Sequence, residues 1–282
     1  MNNNKFYKLF NDVLIPVLGF GTWQAKDGEE AISAVSEALK VGYRHIDTAM
    51  MYENEESVGK AVKSSGIPRE KIFITSKLDN TVRGYDETIK AVNESLEKFQ
   101  SNYIDLYLIH WPNPIKFREN WKEQNAESWR ALEKLYKEGK LKAIGISNFE
   151  PHHMEALFET ATISPMVNQI RVCPGDEPKE IIEYCNDKDM LIEAYTPLGR
   201  GKLLNNKTLE GLAKKYNKSI AQLAIRWHLQ KGYLPLPKSV TPERIKENFE
   251  VFDFEISSDD MDIMSNIESC FDGPIVPDEI PF

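Results

Sequence analysis

Eight short apolar runs recur along the chain, and segments of helical period fill the intervals between them. The runs are Val17–Gly21 and those centred on Ile46, Ile74, Leu108, Ile144, Val167, Ile192 and Leu236. In the intervals, Ala31, Ala34, Val35, Ala38 and Leu39 fall on one helical face; so do Ile89, Val92, Leu96 and Phe99, and Trp129, Leu132, Leu135 and Tyr136. Strands that alternate with helices pair in parallel, because each helix is the crossover that returns the chain to the same end of the sheet. Eight such units close into a (β/α)8 TIM barrel, an α/β fold of roughly 250 residues whose reacting groups stand at the C-terminal ends of the strands. A chain of 282 residues, 41% of them hydrophobic, is long enough for one such barrel and its core. Ahead of it, Phe6–Phe10, Asn11-Asp12 and Val13–Ile15 read as a β-hairpin. Behind it, Ser257 or Ser258 is suited to cap a short last helix, and the tail from Cys270 to Phe282, with three prolines and a glycine, reads as irregular. The expected division is hairpin 6–15, barrel 17–255, and C-terminal helix and tail 256–282, all one domain.

Chemistry-bearing residues stand where such a barrel places its site. Asp47 and Tyr52 follow the run at Ile46, on a strand-to-helix loop that continues into Asn54 and the acidic Glu55 and Glu56, a helix start. A carboxylate and a phenol there could share a proton-transfer task. Lys77 ends the run Ile72–Ser76, and His110 ends the run Ile104–Ile109. His45, two residues before Asp47, shares its facing and reads as a core or supporting residue. His152, His153 and His228 fall in helical contexts and read as structural or exposed.

Six motifs occur in order: Gly-Tyr-Arg-His-Ile-Asp-Thr-Ala, Ile-His-Trp-Pro, Gly-Ile-Ser-Asn-Phe, Val-Asn-Gln-Ile, Pro-Leu-Gly-Arg-Gly and Pro-Lys-Ser-Val. With the quartet Asp47, Tyr52, Lys77 and His110, the chain resembles the aldo-keto reductases from about Tyr7 to Asp262, in particular short bacterial members such as the diketogluconate reductases. The resemblance implies an NADPH-dependent oxidoreductase that reduces aldehyde or ketone carbonyls to alcohols. Tyr52 would be the proton donor and Lys77 would lower its pKa, since an adjacent ammonium favours the phenolate. Asp47 would hold Lys77, and His110 would orient the carbonyl oxygen.

By the same resemblance, Ser147, Asn148 and Gln169 would hold the nicotinamide amide and Tyr195 would stack on its ring. Thr196, Leu198, Gly199 and Arg200 would border the pyrophosphate. Lys238, Ser239, Val240, Arg244 and Asn248 would take the adenosine end, where Lys and Arg together favour a 2′-phosphate and hence NADPH over NADH. Trp23, Met50, Asp79, Trp111 and parts of the loop 113–125 would line the substrate pocket, and the tail, with Phe271 and Phe282, would lie over its mouth. Asp79 stands where many members have Trp, and Arg171-Val172-Cys173 departs from the family pattern; Asp79 would widen the pocket and make it more polar.

Composition narrows the alternatives. A formal charge of −9 argues against general nucleic-acid binding. Cys173, Cys185 and Cys270 form neither a Cys-x-x-Cys pair nor a zinc pattern and read as free thiols. The N-terminus lacks an apolar signal core and no run reaches a membrane span, so the expectation is a soluble, cytoplasmic protein; with no obvious association motif and no Cys/His cluster, a monomer without a metal is expected. There is no Gly-x-Gly-x-x-Gly fingerprint of a Rossmann domain. Two other readings compete: a nucleotide-binding redox-sensing or regulatory subunit, tested by turnover of an aldehyde, and a metal-dependent hydrolase using His45, Asp47 and His110, tested by chelation.

Overall fold

A computed structural model describes residues 6–282. Strands β1 (Phe6–Lys8) and β2 (Leu14–Pro16) pair antiparallel, with Tyr7 opposite Ile15. The turn between them is closed by Asp12 N–H to Leu9 O, with Asp12 in the left-handed region that a short polar side chain tolerates. The hairpin is a plug. Ile15 is fully buried, Tyr7 Oη donates to Tyr233 O just before the last barrel strand, and Asn11 Nδ2 donates to Lys142 O near the start of another. Those are the N-terminal ends of barrel strands, so the hairpin closes the end opposite the site.

The barrel strands are β3 (Phe20–Gly21), β4 (His45–Asp47), β5 (Phe73–Leu78), β6 (Ile104–Ile109), β7 (Leu141–Ser147), β8 (Val167–Arg171), β9 (Leu191–Tyr195) and β10 (Leu234–Leu236). Each is parallel to the next in chain order. The first strand is shorter than the expected Val17–Gly21, and the second, His45–Asp47, is centred on Ile46 as expected. The seam between β3 and β10 is closed by Gly19 N–H to Pro235 O at 3.1 Å and Gly21 N–H to Pro237 O at 3.0 Å. In a parallel ladder one residue turns both of its backbone groups to the same neighbour. The donors missing at Pro235 and Pro237 therefore fall on the seam side, and Leu234 and Leu236 keep theirs for β9. Gly19 leaves room there for two buried side chains: a Cβ would stand 2.5 Å from Leu236 Cδ2 and 2.7 Å from His45 Nδ1, so these would have to shift.

Helices α1 (Glu29–Val41), α2 (Glu55–Ser64), α3 (Tyr85–Phe99), α4 (Trp121–Lys137), α5 (Pro151–Phe158), α6 (Lys179–Asp187), α7 (Lys207–Tyr216), α8 (Ile220–Lys231), α9 (Pro242–Phe249) and α10 (Ser258–Ser265) surround it. The α1 face expected from its period is the buried one; on α3 and α4, Ile89 and Tyr136 reach only half burial at the edge of the stripe. Ser257 caps α10, its Oγ accepting from Asp260 N–H. Among the described residues no helix is long and apolar enough to cross a membrane.

Candidate active site

Alternation along the strands turns every second side chain into the barrel. On β4, β5, β8 and β9 the inward residues include polar ones: His45 and Asp47, Thr75 and Lys77, Gln169, and Glu193, all buried. Above them opens a cavity of about 1130 Å³.

At its floor, Lys77 Nζ lies 2.8 Å from both Asp47 carboxylate oxygens, 2.9 Å from Thr48 O and 3.4 Å from Tyr52 Oη. Burial pulls the ammonium down, but Asp47, Tyr52 and Glu193 outweigh it and hold Lys77 above the ordinary lysine value. Tyr52 sits on a 3-10 turn, Met50–Tyr52, with its ring edge-on to His110 at 5.7 Å. The net lowering of its pKa expected from Lys77 does not result. Burial of the hydroxyl raises the pKa more than Lys77 lowers it, and Asp47 adds to the rise. His110 is held neutral, well below the usual imidazole value, by burial and by Lys77 and Arg83.

Sequence reasoning missed Glu193. Gln169 Nε2 donates to Asp47 Oδ2 at 2.8 Å and to Glu193 Oε2 at 2.7 Å, so the quartet is tied to an acid on β9. Burial, then Asp47, pushes Glu193 up to about 8. Its other oxygen lies 3.9 Å from His45 Nε2, which bonds Thr75 Oγ1 at 2.8 Å, and burial drives His45 down to about 3. A neutral acid, a neutral imidazole and the Lys77–Asp47 ion pair thus fill the barrel. The available signal was an acid inside an apolar strand, Leu191-Ile192-Glu193-Ala194. Arg83 was missed too: buried, it donates to Trp111 O at 2.6 Å and Asp79 O at 2.8 Å and fixes both loops. Asn54 does not cap α2 with its side chain, which instead joins Thr22 O, Ala25 O and Thr48 Oγ1; Glu55 is buried, accepting from Ser76, Ser95 and Lys98.

Of the expected cofactor positions, Ser147, Asn148, Gln169 and Tyr195 line the cavity, as do Thr196, Leu198, Arg200, Lys238, Ser239, Arg244 and Asn248. Val240 and Gly199 do not: Val240 is exposed, and Gly199 is buried against Cys270 and Leu203. Asn148 Nδ2 donates to His110 O and Ser147 Oγ, while its Oδ1 accepts from Tyr195 Oη at 2.6 Å. Asn148, Thr196 and Arg200 all have positive φ, at 62°, 53° and 54°. A β-branched residue there is strained, and such strain concentrates where geometry serves a site. Thr196 Oγ1 and His110 Nδ1 are buried with no protein partner. Orphaned polar atoms beside a cluster of basic residues fit a polar, anionic ligand of dinucleotide size.

Of the substrate-pocket positions, Trp23 and Trp111 are on the wall. Met50 is not: its sulfur accepts from Tyr107 Oη, and Met51 lines the cavity instead. Asp79 is not either. Its carboxylate accepts from Thr81 N–H and Oγ1, a two-residue turn that consumes it locally. No residue of 113–125 lines the cavity. That loop grips the tail, through Asn113 to Asp278, Arg118 to Ile280 O and Ile115 N–H to Phe282 O. The tail closes one side with Pro274, Ile275, Val276, Glu279, Ile280 and Phe282, the last edge-on to Trp111 at 5.4 Å. Phe271 lies outside, under the Arg171 guanidinium. His152 and His153, in the first turn of α5, share the Asp278 carboxylate at 3.0 Å each, and His228 is buried on Ala224 O and Val172 O.

The hydrolase reading has no converging ligand set, since His45 is turned to Thr75 and Asp47 is spent on Lys77 and Gln169. Among the described residues the one group of metal-ligating side chains is Glu150, His152 and His153, outside the cavity.

A model of the aldo/keto reductase family matches residues 17–269. The chain is 49% identical over 255 residues to glyoxal reductase of Bacillus subtilis (strain 168), covering 90% of each chain. It is 40% identical over 270 residues to methylglyoxal reductase DkgA of Escherichia coli (strain K12), covering 95% of each. Among solved structures, a Gox0644 mutant in complex with NADPH superposes with a TM-score of 0.90 at 36% identity, over 98% of both chains.

Proposed function

The chain belongs to the aldo/keto reductase family and is an oxidoreductase, and on that premise we propose that it reduces small aldehydes or ketones to alcohols with NADPH, Tyr52 giving the proton. The observation that carries the reading is the contact of Tyr52 Oη with Lys77 Nζ at 3.4 Å, on the cavity wall beside His110. When bound, NADPH supplies the hydride.

The side chains do the rest. A free phenol near pKa ~10 is a poor acid at neutral pH. Here burial holds its proton on until charge develops on a carbonyl oxygen beside it, and Lys77 then stabilises the phenolate left behind. Asp47 anchors Lys77 through two hydrogen bonds and keeps it charged. Neutral His110 donates one N–H to the same oxygen and orients the carbonyl. Both hydrogens of Gln169 Nε2 are taken by Asp47 and Glu193, so its free oxygen is the acceptor for a carboxamide N–H. Tyr195, braced by Asn148, would offer a flat face to the nicotinamide; Ser147 and Asn148 would border the amide, and Leu198 and Arg200 the pyrophosphate. Lys238 and Arg244, with Ser239 and Asn248, would hold the 2′-phosphate end. Glyoxal and methylglyoxal, named for two relatives, are the first carbonyls to assay.

The test is Tyr52→Phe in the full chain. Carbonyl-dependent NADPH oxidation should fall by roughly 10²–10⁴-fold, with NADPH affinity, read by fluorescence quenching, unchanged. Normal turnover by the variant overturns the assignment.

A further inference from the structure

Cys173 and Cys270 are far apart in sequence and touch in the fold, Sγ to Sγ at 3.9 Å. Cys173 sits at the start of a tight turn after β8, closed by Cys173 N–H to Asp176 O and Asp176 N–H to Cys173 O. This turn cradles the root of the C-terminal tail. A Cβ on Gly175 would stand 2.6 Å from Ile267 O, and Arg171, paired with Asp176, donates to Gly273 O at 2.7 Å and lies 4.1 Å over the Phe271 ring. Cys270 lies between these holds, and four residues on, the chain begins to line the cavity at Pro274. Its sulfur also packs on Gly199, where a Cβ would come within 2.5 Å, next to Arg200 on the cavity wall. The thiol pair therefore stands at the joint between the barrel and the segment 274–282 that closes the cavity.

We propose that Cys173 and Cys270 are a redox couple whose disulfide fixes segment 274–282 over the cavity. The oxidant is hydrogen peroxide. Cys270, the partly exposed thiol, attacks it: an S–O bond forms, the O–O bond breaks, and the leaving oxygen departs as water with the thiol proton. Cys173 then attacks the Cys270 sulfur: the S–S bond forms, the S–O bond breaks, and a second water leaves with the Cys173 proton. The two sulfurs lose two electrons together and the peroxide gains them; a dithiol reverses the change. The sulfurs must close from 3.9 Å to about 2.05 Å. Burial of Cys173, which raises its thiol pKa, makes it the resolving partner and not the first to react. Disulfides inside reducing compartments are usually of this transient, sensing kind. Cys185, enclosed by Asn168 and Met154, is an internal control.

The test uses the full chain, reduced and then treated with hydrogen peroxide. Non-reducing peptide mapping should find one cross-link, Cys173 to Cys270, removed by dithiothreitol, with Cys185 still a thiol. Hydrogen exchange of 274–282 should slow by roughly tenfold or more in the oxidised protein, less than the full worth of a cross-link. Cys270→Ser should lose both effects. A map with only sulfinic or sulfonic acid at Cys270, a link elsewhere, or a cross-linked protein whose tail exchanges at the reduced rate overturns the proposal. Neither readout needs cofactor or substrate, so the outcome is separate from that of the Tyr52 test.

Discussion

Glu193 keeps a proton inside the barrel. Its folded-state pKa of about 8 lies above the ordinary 4.5. The folded chain keeps a proton there that the unfolded chain releases. The stability this contributes is fully present below about 4.5 and is lost as pH rises through about 8. His45, lowered from 6.5 to about 3, runs the other way: its contribution is present above 6.5 and lost as pH falls toward 3. Glu193→Gln copies the protonated acid and keeps the acceptor for Gln169. Relative to the unaltered protein the variant should gain roughly 1 kcal/mol or more across that window as pH rises, read by denaturant unfolding at several pH values. A difference that does not vary with pH would contradict a neutral Glu193. Asp79 shows the opposite outcome at this scale. Its departure from the family pattern suggested a polar wall, but a hydroxyl and an N–H two residues on hold the carboxylate in its own turn.

Helix α2 carries Tyr52 into position, since the chain runs from its 3-10 turn directly into the helix. The helix is set against α3 by contact at Gly59 and by the buried Glu55 carboxylate on Ser95 and Lys98. A Cβ at Gly59 would stand 2.4 Å from Lys98 O and 2.8 Å from Phe99 Cα, both backbone atoms that cannot turn aside. Alanine favours a helix over glycine by up to ~1 kcal/mol, while overpacking costs about 1–3 kcal/mol. The clash should win. Gly59→Ala is expected to lower Tm and, by shifting the Tyr52 turn, to reduce kcat for carbonyl reduction. An unchanged Tm would mean that α2 and α3 separate freely.

The molecule as a whole carries a net charge of −9, yet Arg200, Lys238 and Arg244 gather on the cavity wall. Such a cluster is costly without an anion, and a ligand that binds only the folded chain stabilises it by mass action. At one hundred times Kd the gain is about 2.7 kcal/mol, which for a chain of this size raises Tm by roughly 5 °C. NADPH is expected to produce that shift and NADH, at the same concentration, a smaller one. Lys238→Ala/Arg244→Ala should bring the two together. Equal shifts in the unaltered protein would remove the argument for 2′-phosphate recognition.

Much of this was legible beforehand because it depends on local period. Alternating runs and helices specify a parallel barrel, and residues at the ends of successive strands, Asp47, Lys77 and His110, fall on one rim once the barrel closes. Of the cofactor positions that the resemblance implied, those from Ser147 to Asn248 line the cavity, with Gly199 and Val240 excepted. What sequence could not supply depends on distances across the barrel. Glu193 meets Gln169 and His45 only when β9 lies beside β8 and opposite β4, and its proton is retained because the interior excludes water. Tyr52 is raised instead of lowered because burial outweighs a single ammonium, a balance of two large terms that residue types do not reveal. The tail seals the cavity because Asp278, Ile280 and Phe282 find partners on α5 and on the loop before α4. Local pattern decided which elements form and where the reacting side chains point; packing decided which charges survive, because the energy of a charge depends on what the fold places around it.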